Sequence, residues 1–137
     1  MHSVEISSDI EGISRALELA SLGLFTTTPN PRVGCVIVKG KRVIGEGYTQ
    51  PAGQAHAEVQ ALNDAANRGA DVRGATAYVT LEPCVMCMGA VLNARVARVV
   101  FGAWDPKAGA CGSVIDLPRE PKLTHRIDVF GGVCSDE

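Results

Sequence analysis

The sequence predicts an α/β fold: a single domain over residues 1-137, with a central sheet of about five strands flanked by helices. Three observations lead there. Helical and strand-like periodicities alternate along the chain, the pattern of a layered α/β protein. The length of 137 residues allows one sizeable core and leaves no room for a second catalytic module. With 46% hydrophobic and 20% charged residues the composition is that of an ordinary globular domain, and no apolar run approaches the length of a membrane span.

Each element has its own signal. Ser8-Asp9-Ile10-Glu11 has the form of a capping box, after which Ile13, Ala16, Leu17, Ala20 and Leu24 recur at helical spacing. Residues 26–32 form a turn-rich loop with two prolines. Residues 33–38 and 42–48 then read as strands joined by a short turn through Gly40, which makes a hairpin. A loop through Pro51 and Gly53 leads to a helix from His56 to about Arg68, and Gly69 and Gly74 bracket the connection to a strand over 75–81. A helix bearing Cys84 and Cys87 follows. Residues 96–103 form the next strand, 112–117 a short helical piece or turn, and 127–133 the last strand.

Charge and cysteine usage narrow the function classes. A formal net charge of −2 excludes a strongly basic nucleic-acid binder while permitting a local patch. The first eight residues are polar and lack the apolar stretch of a signal peptide, and the five cysteines suit a reducing compartment, so a cytoplasmic protein is expected.

The chemistry is concentrated in His56-Ala57-Glu58 and Pro83-Cys84-Val85-Met86-Cys87. Together they offer zinc one imidazole and two thiolates, a three-ligand set that leaves a fourth position for water. Cys84 and Cys87 are three apart, so both thiols lie on one side of a helix's first turn, where the dipole favours thiolates. Pro83 suits the start of that helix. His56 and Glu58 are two apart and point to different sides, with His56 on the metal and Glu58 turned toward substrate. Zinc with two thiolates and a neutral imidazole carries no net charge and acidifies water less than a three-histidine site, so a nearby base is required. Glu58 is that base, and this H-x-E…P-C-x-x-C pattern is the signature of zinc deaminases. A structural zinc knot would need a fourth protein ligand from Cys35, Cys111, Cys134 or another histidine, and a thioredoxin-like pair would leave His56 and Glu58 without a role. A zinc-stabilised binding module without catalysis is a further alternative.

On these motifs the chain is identified as resembling the cytidine-deaminase-like superfamily, which implies a three-layer α-β-α arrangement around a mixed sheet. The resemblance changes along the chain. Thr28-Pro29-Asn30-Pro31-Arg32-Val33-Gly34-Cys35, Gly53-Gln54-Ala55-His56-Ala57-Glu58 and the run from Gly74 to Cys84 resemble the deaminase domain of the bifunctional riboflavin-biosynthesis deaminase/reductase. Cys84-Val85-Met86-Cys87-Met88-Gly89-Ala90, the segment from Val99 to Ser113 and the tail through His125-Arg126 are instead similar to the bacterial tRNA adenosine deaminase.

The first resemblance implies that Asn30 lies near a substrate ribose; the second implies a pocket built with Asp105 and Lys107, with Thr49 where that family places an asparagine. Ala57 and Pro83, beside the ligands, complete the expected substrate contacts. Trp104 is either core or a stacking platform. Arg119, Lys122, His125 and Arg126 are either exposed surface or a phosphate patch. The leading expectation is deamination of the wobble adenosine of tRNA to inosine, with the anticodon loop as partner; the alternative is the riboflavin-pathway pyrimidine deaminase. A homodimer is expected, paired through helices, with Met86, Met88, Val91 and Leu92 around the zinc-cysteine helix.

Overall fold

The computed structural model describes residues 5–22, 32–50, 54–123 and 125–133. Helix α1 (Asp9–Ser21) starts on the expected capping box: Glu11 N–H donates to Ser8 Oγ at 3.2 Å, and Ser8 Oγ donates back to Glu11 Oε1 at 3.3 Å. Its buried stripe is Gly12, Ile13, Ala16, Leu19 and Ala20. Leu17 departs from the expectation and is 42% exposed. At 100° per residue it falls at the edge of the stripe, and Leu19 fills the core position in its place. Leu24 and Asn30 lie outside the described residues.

Five strands form one mixed sheet in the order β2-β1-β3-β4-β5. They are β1 (Gly34–Lys39), β2 (Arg42–Tyr48), β3 (Thr76–Leu81), β4 (Arg98–Ala103) and β5 (Asp128–Phe130). β1 runs antiparallel to both β2 and β3, whereas β3, β4 and β5 are parallel. The hairpin turn between β1 and β2 passes through Gly40 at φ 65°, a left-handed conformation that glycine adopts without steric cost. The last strand is shorter than the 127–133 read from the sequence: regular pairing ends at Phe130, and Gly132 at φ 81° leaves the extended conformation while its N–H still bonds the Gly102 carbonyl at 3.0 Å. Of the helical piece or turn expected at 112–117, the structure has the turn, closed by a bridge between Cys111 and Asp116, and a 3-10 turn follows at Leu117–Arg119.

Strand alternation builds the three layers. Cys35, Ile37, Ala77, Val79, Val99 and Phe101 face α2 (Ala57–Asn67) and α3 (Val85–Asn93), whereas Val36, Val38, Tyr78 and Val100 face α1. Met88, Val91 and Leu92 of α3 are core residues at 0%, 2% and 6% exposure, so of the four apolar residues expected at a dimer contact only Met86, 57% exposed, is free on the surface. Small residues let α2 lie close on the sheet. Ala57, Ala61 and Ala65 are buried against Gly45 and Gly47 of β2, and a Cβ on Gly47 would lie 2.4 Å from the Ala57 carbonyl oxygen. This contact sets the height of the helix end that carries His56.

Candidate active site

Two helix starts meet beyond the carboxyl end of β3. His56 is the N-cap of α2 with extended backbone (φ −68°, ψ 166°), and Cys84 is the N-cap of α3 with the same kind of geometry (φ −79°, ψ 176°). In both, the cap carbonyl already accepts the first helical bond: Gln60 N–H to His56 at 2.9 Å and Met88 N–H to Cys84 at 2.9 Å. Pro83 therefore precedes the N-cap instead of occupying the first helical position. It is buried, and its carbonyl takes the Ala110 N–H at 2.8 Å.

His56 Nδ1 lies 3.4 Å from Cys87 Sγ and 3.8 Å from Cys84 Sγ, and all three ligand atoms fall within 4.8 Å of one another. Tetrahedral zinc with ordinary Zn–N and Zn–S bonds spaces nitrogen and sulfur about 3.6 Å apart, so the donor set fits one zinc ion. No other group of three or more candidate metal ligands occurs among the described residues. The hydrogen bond from Cys87 draws Cys84 down to about 5, helped by the His56 ring, while the same bond and burial push Cys87 well above its ordinary value.

Glu58 is the second residue of α2 and only 5% exposed. Burial raises its carboxyl to about 7; Cys84 adds to the rise, while the backbone, Cys87 and His56 oppose it. A carboxyl poised near neutrality can both take and return a proton. Cys35 sits behind it in β1, buried as expected of a small hydrophobe.

A cleft opens on these groups. It is lined by Val33, Thr49, Gln50, Gln54, Ala55, His56, Ala57 and Glu58, together with Leu81, Glu82, Cys84, Asp105 and Ala108. Of the substrate contacts expected from the sequence, Thr49, Ala57 and Asp105 line this cleft; Pro83 and Lys107 do not. The Thr49 hydroxyl is already committed, accepting from Val33 N–H at 2.8 Å and donating to the Val33 carbonyl at 3.1 Å. Asp105 caps its own turn, accepting from the N–H groups of Lys107 at 3.0 Å and Ala108 at 3.3 Å. Lys107 is exposed. Trp104 packs edge-on against Phe101 at 4.8 Å and lies outside the cleft lining.

Three of the four basic tail residues have partners nearby. Arg119 pairs with Asp116, Arg126 donates to the carbonyls of Glu120 and Pro121, and the His125 ring meets the Val96 carbonyl.

Glu82 has no role in the sequence reading, yet it is 2% exposed and accepts from the N–H groups of Asp105 at 3.0 Å, Cys111 at 2.8 Å and Ser113 at 3.1 Å, and from Ser113 Oγ. Burial by itself would raise its carboxyl, but the Ser113 hydroxyl and these N–H groups prevail and hold it below the usual carboxylate range. The available signal is an acidic residue between an apolar strand and Pro83.

A layered α/β domain that sets a His-Cys-Cys metal site beside a buried carboxylate, at the floor of a cleft, has the equipment of a zinc hydrolase acting on carbon–nitrogen bonds. The sequence profile of the cytidine and deoxycytidylate deaminase zinc-binding region matches residues 6–103, and the chain belongs to this family of hydrolytic deaminases. The chain is 53% identical over 106 residues to the riboflavin biosynthesis protein RibD of Escherichia coli; that match covers 73% of the chain and 28% of RibD. It is 46% identical over 136 residues to the diaminohydroxyphosphoribosylamino-pyrimidine deaminase of Buchnera aphidicola from Acyrthosiphon pisum, covering 95% of the chain and 88% of that protein. A solved structure from work on A-to-I editing by tRNA:A34 deaminases superimposes with a TM-score of 0.75 at 34% identity, covering 88% of the chain and 96% of that structure. These relatives do not favour tRNA over the pyrimidine as substrate, and the ranking expected from the sequence is not upheld.

Proposed function

We propose that the chain is a cytoplasmic enzyme that hydrolyses the exocyclic amine of a phosphoribosylated diaminopyrimidine, the substrate named for its Buchnera relative. The match over 95% of the chain and 88% of that relative carries the reading. The cleft agrees with it. Eleven of its thirteen lining residues lie between Val33 and Cys84, the part that resembles the riboflavin-type domain, and two, Asp105 and Ala108, come from beyond it.

Zinc held by His56, Cys84 and Cys87 supplies a Lewis acid that lowers the pKa of a water molecule. Glu58 accepts a proton from that water as its oxygen bonds to the ring carbon, and passes it to the adjacent ring nitrogen. It then carries the second water proton to the amine, which leaves as ammonia. The ring carbon ends as a carbonyl, so one water is consumed and one ammonia released. Val33, Ala55, Ala57 and Leu81 give the cleft apolar lining of the kind an aromatic ring would pack against.

A second reading, tRNA adenosine deamination, has one feature in its favour: only Val85 and Met86 separate the zinc cysteines, the short form that resembles the tRNA enzyme. Ammonia release from the diaminopyrimidine nucleotide and from an anticodon stem-loop decides between them. The pyrimidine should be turned over faster. Faster turnover of the stem-loop would reverse the assignment, and turnover of neither would defeat both.

A further inference from the structure

We propose that Glu82 is the positioning residue of the substrate cleft, its buried carboxylate fastening the loop from Asp105 to Ser113 as the cleft's outer wall. The inference rests on the reading of this cleft as the deaminase site.

Burying a carboxylate is costly unless its oxygens are satisfied, and among the described residues no ion pair engages Glu82. Its compensation comes entirely from one loop. The N–H groups of Asp105, Cys111 and Ser113 and the Ser113 hydroxyl all converge on it across 23 to 31 residues of sequence. These N–H groups gain a charged acceptor, which makes the bonds stronger than neutral ones. The loop in turn contributes Asp105 and Ala108 to the cleft that His56, Ala57 and Glu58 also line. Glu82 immediately precedes Pro83-Cys84, so one short segment fixes both the metal helix and the wall across from it.

Gly109 supports the assignment independently. A Cβ there would lie 2.2 Å from Glu82 Cδ, so the loop can close over the carboxylate only with glycine at this position. A glutamine at 82 has the same shape, yet either orientation of its amide sets an NH2 against a backbone N–H: that of Asp105 on one side, those of Cys111 and Ser113 on the other. The amide therefore cannot replace the acid.

The test compares zinc-loaded wild type with Glu82→Gln, Gly109→Ala and the milder Ser113→Ala, reading zinc content, quenching of tryptophan emission by acrylamide, and kcat and KM on the diaminopyrimidine nucleotide. Trp104, the only tryptophan of the chain, precedes Asp105, and Gly112 lies near its ring, so its emission reports the loop without any substrate. Zinc should stay at wild-type content. Quenching should increase in all three variants, least in Ser113→Ala, and KM should rise about tenfold or more in the first two with a smaller fall in kcat. The double variant Glu82→Gln/Gly109→Ala should be little worse than the worse single one, because both release the same loop. Unchanged Trp104 quenching in zinc-loaded variants would overturn the proposal, as would an unchanged KM, or zinc loss in step with activity. If Glu82→Gln does not fold, unchanged quenching in Ser113→Ala overturns it. If the wild type turns over neither candidate substrate, the proposed function fails, while Trp104 quenching still decides the role of Glu82.

Discussion

Gly47→Ala tests the link between sheet packing and the metal site. A Cβ at this position would lie 2.4 Å from the Ala57 carbonyl oxygen, 2.6 Å from the Ala61 nitrogen and 2.7 Å from Gln60 Cβ. Ordinary contact begins at 3.4 Å, so the first turn of α2 must move outward by about 1 Å. His56 and Glu58 ride on that turn. Metal–ligand bonds tolerate only about 0.2 Å, so the shift should weaken zinc binding by about tenfold or more, and displacement of Glu58 should lower turnover by about a hundredfold. Overpacking itself should cost about 1–3 kcal/mol of stability. Gly45→Ala is the control: its Cβ would meet the Ala61 carbonyl at 2.4 Å, one turn further from His56, so a similar stability loss should come with less effect on zinc. Chelator competition, thermal unfolding and ammonia release read the three quantities. Wild-type zinc affinity and turnover in Gly47→Ala would refute the reasoning and show that the edge strand β2 gives way while the helix stays in place.

Four further outcomes are expected. Glu58→Gln keeps zinc and lowers turnover by about 10²–10⁴, because it removes the proton carrier and leaves the ligands intact; loss of zinc in proportion to activity would make Glu58 a ligand. Removing the metal with a chelator lowers the unfolding temperature, since His56 and the two cysteines tie the starts of α2 and α3 together, and zinc affinity falls with pH as the ligands take up protons. Burial, and then the 2.9 Å hydrogen bond to Asp9, hold the Tyr78 hydroxyl above its usual pKa, so its contribution is present below about pH 10 and lost as pH rises further; Tyr78→Phe should cost about 1 kcal/mol at pH 7 in urea unfolding and flatten the alkaline limb. Light scattering at micromolar concentration should give the mass of two chains, and Met86→Asp, at an exposed position beside the equally exposed Val85, should shift it toward one.

The elements legible in the sequence are those whose cause is local. Ser8 and Glu11 cap α1 through bonds three residues apart, and the alternation of Cys35 and Ile37 with Val36 and Val38 follows from strand geometry alone. The metal centre was legible for the same reason: each ligand stands in or just before the first turn of a helix, and the spacing of Cys84 and Cys87 is a property of that turn. Leu17 and Leu19 show the limit. Both are compatible with an apolar stripe, and only the position of the sheet decides which one is buried.

The cleft wall was not legible, because its causes are tertiary. Glu82 reads as an ordinary acid at a strand end until its partners arrive from 23 to 31 residues downstream. Gly45 and Gly47 read as weak strand residues until Ala57 and Ala61 lie against them. Thr49 lines the cleft, and its bonds to Val33 across 16 residues of sequence are invisible until the fold is formed. This division explains why the reaction could be named from residues while the choice of substrate could not. Proton transfer and metal binding need a few groups at fixed local spacing, whereas the cleft around them is gathered from segments far apart in sequence, within 33–58, 81–84 and 105–108. On the proposed role of Glu82, which fastens the last of these segments, a change at this one carboxylate should alter substrate binding and leave the metal chemistry as it is.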